Sequence, residues 1–166
     1  AGNVLSNGVV AYGNVETSGT GNIFLQGEAQ GAGDGVILGK NLTSVDGNIT
    51  VEGIGKNALS GGLLGINAQV RSMGTGSISM TGSVTSGTGA GMLLSTMQVS
   101  SAAGNITLTG TGGSSGKGAS GVFLRNSNKI IGHGAGTTVT LNGTAGSSSG
   151  LYCHRAELAN SCQVAT

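Results

Sequence analysis

Gly104-Asn105-Ile106-Thr107-Leu108-Thr109-Gly110, followed after a loop by Gly121-Val122-Phe123-Leu124, is the passage on which the fold turns. In its first segment Ile106 and Leu108 alternate with Thr107 and Thr109. Successive side chains of a strand leave the backbone on opposite sides, so this alternation predicts a strand with one covered face. Thr and Gly are poor helix formers, and apolar residues at helical spacing are absent.

The same segment recurs along the chain. Ile23, Ile49, Ile78, Ile106 and Val139 occupy equivalent places, 26, 29, 28 and 33 residues apart. Each is followed two residues later by Leu25, Val51, Met80, Leu108 or Leu141, and then by a closing glycine (Gly27, Gly53, Gly82, Gly110, Gly143). A second series interleaves with the first: Gly8-Val9-Val10, Gly35-Val36-Ile37, Gly62-Leu63-Leu64, Gly91-Met92-Leu93, Gly121-Val122-Phe123 and Gly150-Leu151-Tyr152. Short apolar segments at Leu42 to Val45, Val70 to Met73 and Ile130-Ile131 form a third. Gly2-Asn3-Val4 stands as an abbreviated first copy.

Antiparallel folds have no need of one residue type every ~28 positions. A coil stacked on its own copy does, because like side chains then lie above one another at about 4.8 Å. The repeat therefore predicts an all-β fold, a parallel β-helix or β-solenoid of about six coils forming one domain over residues 1–166. Parallel crossovers are nearly always right-handed, so a right-handed β-helix is expected. Outer ladders should join Thr50, Ser79, Thr107 and Thr140, and Glu52, Thr81, Thr109 and Asn142. The closing glycines are expected to supply positive φ at sharp corners.

Composition agrees with a thin, repetitive object. The 166 residues include 35 Gly, no Pro, no Trp and four aromatic residues, with 8% charged and 37% hydrophobic. A compact core is normally centred on large aromatics, of which this chain has few. A net charge of +1, with Lys and Arg scattered from Lys40 to Arg155, leaves no footprint for nucleic acid or an acidic membrane surface. No apolar run approaches the ~18 residues of a membrane-spanning helix, so no membrane insertion is expected, and no signal peptide opens the chain.

Gly104-Asn105-Ile106-Thr107-Leu108-Thr109-Gly110 with Gly121-Val122-Phe123-Leu124, and their echoes through almost the whole chain, resembles the repeats of filamentous-haemagglutinin-type exoproteins, the secreted adhesins of two-partner secretion systems. The resemblance implies export across a bacterial outer membrane, an extracellular or cell-surface location, a fibrous shaft, and adhesion or surface assembly. The family's secretion domain carries an Asn-Pro motif. A chain without Pro would then be a shaft or distal segment.

Cys153 and Cys162 flank His154, Arg155 and Glu157 near the C-terminus. In an exported chain they read first as a disulfide that staples a terminal coil at about 150–166. Some adhesins of this family hold a paired-cysteine loop there, so an anchoring or partner-docking loop is the other reading. Metal binding through His154 and both cysteines lacks a fourth ligand. The column Val10, Ile37, Leu64, Leu93, Phe123 and Tyr152 is flanked by residues that look inward-facing, so alternation puts it outside. Three readings stay open: a lateral contact stripe, a stripe covered by a chain segment, or core residues in another phase.

Neither end of the chain carries a polar cap, which fits a piece of a longer rod or a subunit that stacks end to end. Asn41, Asn48, Asn105 and Asn142 match a glycosylation pattern that Asn- and Thr-rich repeats produce by composition alone. Catalysis is not expected. Glu16, Glu28, Asp34, Asp46, Glu52 and Glu157 form no paired motif, and His133, between two glycines, reads as a solvated loop residue. No catalytic, metal or cofactor residues are assigned. An ice-binding Thr array is interrupted by Phe24, Gln26, Glu52 and Asn142. The reading is a structural or adhesive extracellular rod that self-associates or contacts a host or neighbouring cell. The alternative is a carbohydrate-binding or carbohydrate-cleaving β-helix.

Overall fold

A computed structural model describes residues 6–56, 61–116, 118–146, 148–153, 156–159 and 162–165. Gly2 to Val4 and His154-Arg155 lie outside them, and along the last two strands only Glu157 is described beyond its backbone.

Each coil supplies three strands. They are β1 (Val9–Ala11), β2 (Val15–Thr17) and β3 (Ile23–Ala29); β4 (Val36–Leu38), β5 (Leu42–Ser44) and β6 (Ile49–Gly55); β7 (Gly61–Ile66), β8 (Gln69–Ser72) and β9 (Ile78–Val84). Then come β10 (Ala90–Ser95), β11 (Gln98–Ser101) and β12 (Ile106–Thr111); β13 (Val122–Arg125), β14 (Asn128–Gly132) and β15 (Val139–Thr144); β16 (Leu151–Cys153), β17 (Ala156–Ala159) and β18 (Cys162–Ala165). Every third strand pairs in parallel, giving three six-stranded sheets among the described residues. Sheet A runs β1-β4-β7-β10-β13-β16, sheet B β2-β5-β8-β11-β14-β17, and sheet C β3-β6-β9-β12-β15-β18. The chain is a parallel β-solenoid.

Register follows the repeat. Ile23, Ile49, Ile78, Ile106 and Val139 are successive partners in sheet C, as are Leu25, Val51, Met80, Leu108 and Leu141. All but the half-buried Leu25 are buried in the core. Sheet A contributes Val36, Leu63, Met92 and Val122, and sheet B contributes Leu42, Val70, Val99 and Ile130. Burial of such side chains stabilises the fold by about 1.5–3 kcal/mol each. The expected outer ladders are present, with Thr50, Ser79, Thr107 and Thr140 in one column and Glu52, Thr81, Thr109 and Asn142 in the next. The third apolar series, too short for its phase to be read from the sequence, is sheet B.

The closing glycines serve a purpose other than the one expected. None of Gly27, Gly53, Gly82, Gly110 and Gly143 has positive φ; Gly19, Gly87, Gly116 and Gly136 do. Instead, the chain leaving sheet C makes an excursion and returns across itself to enter sheet A. A Cβ on Gly27, Gly53, Gly82, Gly110 or Gly143 would collide with the carbonyl oxygen of Gly35, Gly62, Gly91, Gly121 or Gly150 respectively. Backbone lies against backbone at each crossing. This explains why both strand series carry a glycine at a fixed place. The excursions bury Ala29, Ala32, Val84, Ala90 and Ala119.

The corner from sheet A to sheet B uses residues with side chains in the left-handed region: Asn67, Thr96, Asn126 and Ser127, with φ of 50°, 55°, 59° and 64°. Thr96 is β-branched and uncommon there; its hydroxyl donates to the Asn126 carbonyl at 3.0 Å. Asx side chains tie coil to coil at other corners. Asn48 N donates to Asn22 Oδ1 (2.7 Å), Ser77 N to Asn48 Oδ1 (2.8 Å), and Thr138 N to Asn105 Oδ1 (3.0 Å). The Asn of the Gly-Asn-Ile signature thus accepts from the backbone of the following coil.

Candidate functional site

The three outer faces differ in relief. On sheet C the outer columns are polar apart from Phe24, with the longer Gln26 and Glu52 in the first coils and Ser79, Thr81, Thr107, Thr109, Thr140 and Asn142 beyond them. On sheet A the column Val10, Ile37, Leu64, Leu93, Phe123 and Tyr152 is continuous in register. Its exposure is uneven: Val10 is 43% and Tyr152 48% exposed, whereas Ile37 and Leu93 are 8% and 7%. Leu64 and Phe123 are half-buried, and the Phe123 ring stands edge-on to Tyr152 with centroids 4.9 Å apart at 81°. The stripe points away from the core file of Val36 and Leu38, yet Ile37 and Leu93 within it are buried.

Sheet B carries a hollow of about 470 Å³. Its origin is a mismatch of side-chain size across three coils. Outward positions of β11 hold Ser100, with Ala102 just beyond the strand, both half-buried. On one neighbouring strand the partner of Ser100 is Arg71, and on the other it is Ile131. His133 lies one step past β14, its backbone N–H donating to the Ser101 carbonyl at 2.9 Å. Small residues between long ones make a trough along β11, walled by strands roughly 10 Å apart. One end is closed by the column Gln69, Gln98 and Lys129. Gln69 Nε2 donates to Gln98 Oε1 at 3.5 Å, and Lys129 Nζ lies 3.7 Å from the Glu157 carboxylate.

The trough was not foreseen from the sequence. His133 is exposed, as expected, but it is laddered to the preceding coil and lines this hollow. The signal was present as small residues at 100 and 102 between large ones at 71, 131 and 133. It becomes readable only once the register of sheet B is known.

Acidic residues are placed by stacking. Glu28 meets Lys56 Nζ at 2.8 Å and accepts from Gln30 Nε2 at 3.1 Å. The Lys56 hydrogen bond and charge hold its carboxyl below the ordinary value. Gln26 donates to Glu52 at 2.9 Å. Asp34 is buried, accepting the Gly61 N–H at 2.7 Å, and burial pushes its pKa up against that hydrogen bond. One coil earlier Asn7 fills the same role, accepting from Asp34 N at 2.9 Å. Among the described residues no three His, Cys, Asp or Glu side chains gather as a metal-binding group, and no helix is long and apolar enough to cross a membrane.

Cys153 is exposed at the end of β16, where its register partner is the buried Leu124. Cys162 pairs in register with the buried Val139. The Cys162 side chain lies outside the described residues, so the expected disulfide is not shown. Comparison with protein-family models, curated proteins and solved structures gives no match.

Proposed function

We propose that the chain is a segment of a structural or adhesive rod on the outside of a bacterial cell, as its resemblance to two-partner-secretion adhesins implies. The observation that supports this most is the unbroken in-register stacking of all three sheets. The repeat spends its residues on stacking: inward aliphatics, crossing glycines and Asx ladders recur in coil after coil. A pairing of Cys153 with Cys162 would staple the last coil, both residues falling in register with core positions of the coil before.

Self-association is part of the proposal, and charge gives it a direction. Residues 1–56 carry five acidic and two basic side chains, and residues 57–166 carry one acidic and five basic. Coil order follows chain order, so the charge runs from net negative over residues 1–56 to net positive over residues 57–150, with Arg155 and Glu157 cancelling beyond. Head-to-tail association would bring opposite charges together, in a heterologous contact that salt weakens. The sheet A stripe of Val10, Ile37, Leu64, Leu93, Phe123 and Tyr152, most exposed at Val10 and Tyr152, would make the lateral contact. Electron microscopy of the native material tests the reading. Uniform thin rods or fibres, shortened by added salt, support it; dispersed compact particles at every salt concentration contradict it. The alternative of a carbohydrate-binding solenoid draws its support from the trough on sheet B.

A further inference from the structure

We propose that the trough over β11 binds an acidic saccharide, a sugar ring carrying a carboxylate, whose charge is met by Arg71 and whose hydroxyls are met by Gln69, Gln98 and Ser100. This does not depend on rod assembly, since a single solenoid would hold the sugar.

Four observations carry the inference. First, the hollow, at about 470 Å³, falls within the 300–1,000 Å³ typical of small-ligand sites. Second, its titratable lining residues are Arg71, Lys129 and His133, with no carboxylate among them. Lys129 is drawn toward Glu157 on the neighbouring coil, whereas Arg71 forms no ion pair among the described residues. A guanidinium presents a planar fork that matches a carboxylate in bidentate fashion. Third, the remaining groups are those a polyhydroxylated ring uses: two amides and a hydroxyl, with Ala102 and Ile131 as an apolar patch. Fourth, the polymer alternatives lack their means of recognition. An extended peptide adds to a free sheet edge, but β8, β11 and β14 are interior strands paired on both sides. A nucleic acid strand stacks its bases on aromatic rings, and no Phe, Tyr or Trp lines the trough.

The test is isothermal titration of the purified protein with tri-galacturonate, its neutral methyl ester, and a glutamate peptide of equal charge. Tri-galacturonate should bind, and the ester and peptide should each bind at least tenfold more weakly. Arg71→Ala should weaken binding of the acidic sugar tenfold or more, and Arg71→Lys should recover only part of the loss. Ser100→Trp, which fills the floor, should abolish it, with the circular dichroism spectrum unchanged. If Ser100→Trp fails to fold, the two Arg71 variants decide. No binding at millimolar sugar, equal binding of the ester, preference for the peptide, or full affinity in Arg71→Ala would each overturn the proposal.

Discussion

Sheets A and B are built on the same coils and read the same repeat, yet their outer faces have opposite character. In sheet A one column holds aliphatic or aromatic residues in every coil, with Ile37 and Leu93 buried and Leu64 and Phe123 half-buried. In sheet B the corresponding column changes from Arg71 to Ser100 to Ile131, and a trough results. In a solenoid a side chain is bounded by its copies above and below. Equal size along a column closes a face, and a small residue between large ones opens it. The sheets also differ in how the chain enters them: through a glycine crossing for sheet A, and through left-handed corner residues such as Asn67 and Thr96 for sheet B.

The largest expected difference lies at those crossings. Gly82→Val should prevent folding, because its Cβ would meet the Gly91 backbone and no flexible group can yield. Ser100→Val, on the half-buried floor of sheet B, should fold normally. Loss of the β-type circular dichroism signal in the first variant and its retention in the second is the outcome to look for. Next comes the covered stripe. Leu93→Ala should lose about 2–4 kcal/mol in denaturant unfolding, against a change within about 0.5 kcal/mol for Ser100→Ala. Equal effects would mean that the two faces are alike.

A smaller effect is expected at the ladders. Asn48→Ala removes the acceptor of Ser77 N and should cost about 0.5–1.5 kcal/mol. The smallest concerns Asp34. Its raised pKa means the native state holds the proton more tightly than the unfolded chain does. Its contribution is therefore complete below the ordinary aspartate value and is lost as pH rises through the raised one. Asp34→Asn keeps a carbonyl acceptor for Gly61 N and removes the buried charge. It should raise the thermal midpoint slightly at neutral pH, with the gain vanishing in acid. A lower midpoint at pH 7 would show that the ionised carboxylate is the better acceptor.

Much of this architecture was legible in the sequence, because stacking forces like residues into like places. Ile49, Ile78 and Ile106 announced the inner file, and Thr107 and Thr140 the outer ladder. The six-residue stripe of sheet A was legible as a column, but its exposure was not, since alternation gives direction and not cover. The crossing glycines were legible as a pattern and misread as to cause: a glycine set by a close approach looks the same in sequence as one set by positive φ. The trough was hidden because sheet B strands are short, with one or two apolar residues each, so their register could not be phased. The sheet B register, once known, makes Arg71, Ser100 and Ile131 neighbours.

Methyl–methyl nuclear Overhauser contacts in protein labelled at isoleucine test the stacking most directly. The register predicts strong contacts from Ile78 to both Ile49 and Ile106, with none of comparable strength between Ile49 and Ile106. Absence of the Ile78 contacts, or a direct Ile49–Ile106 contact as strong as either, would contradict a coil laid in register upon its copy.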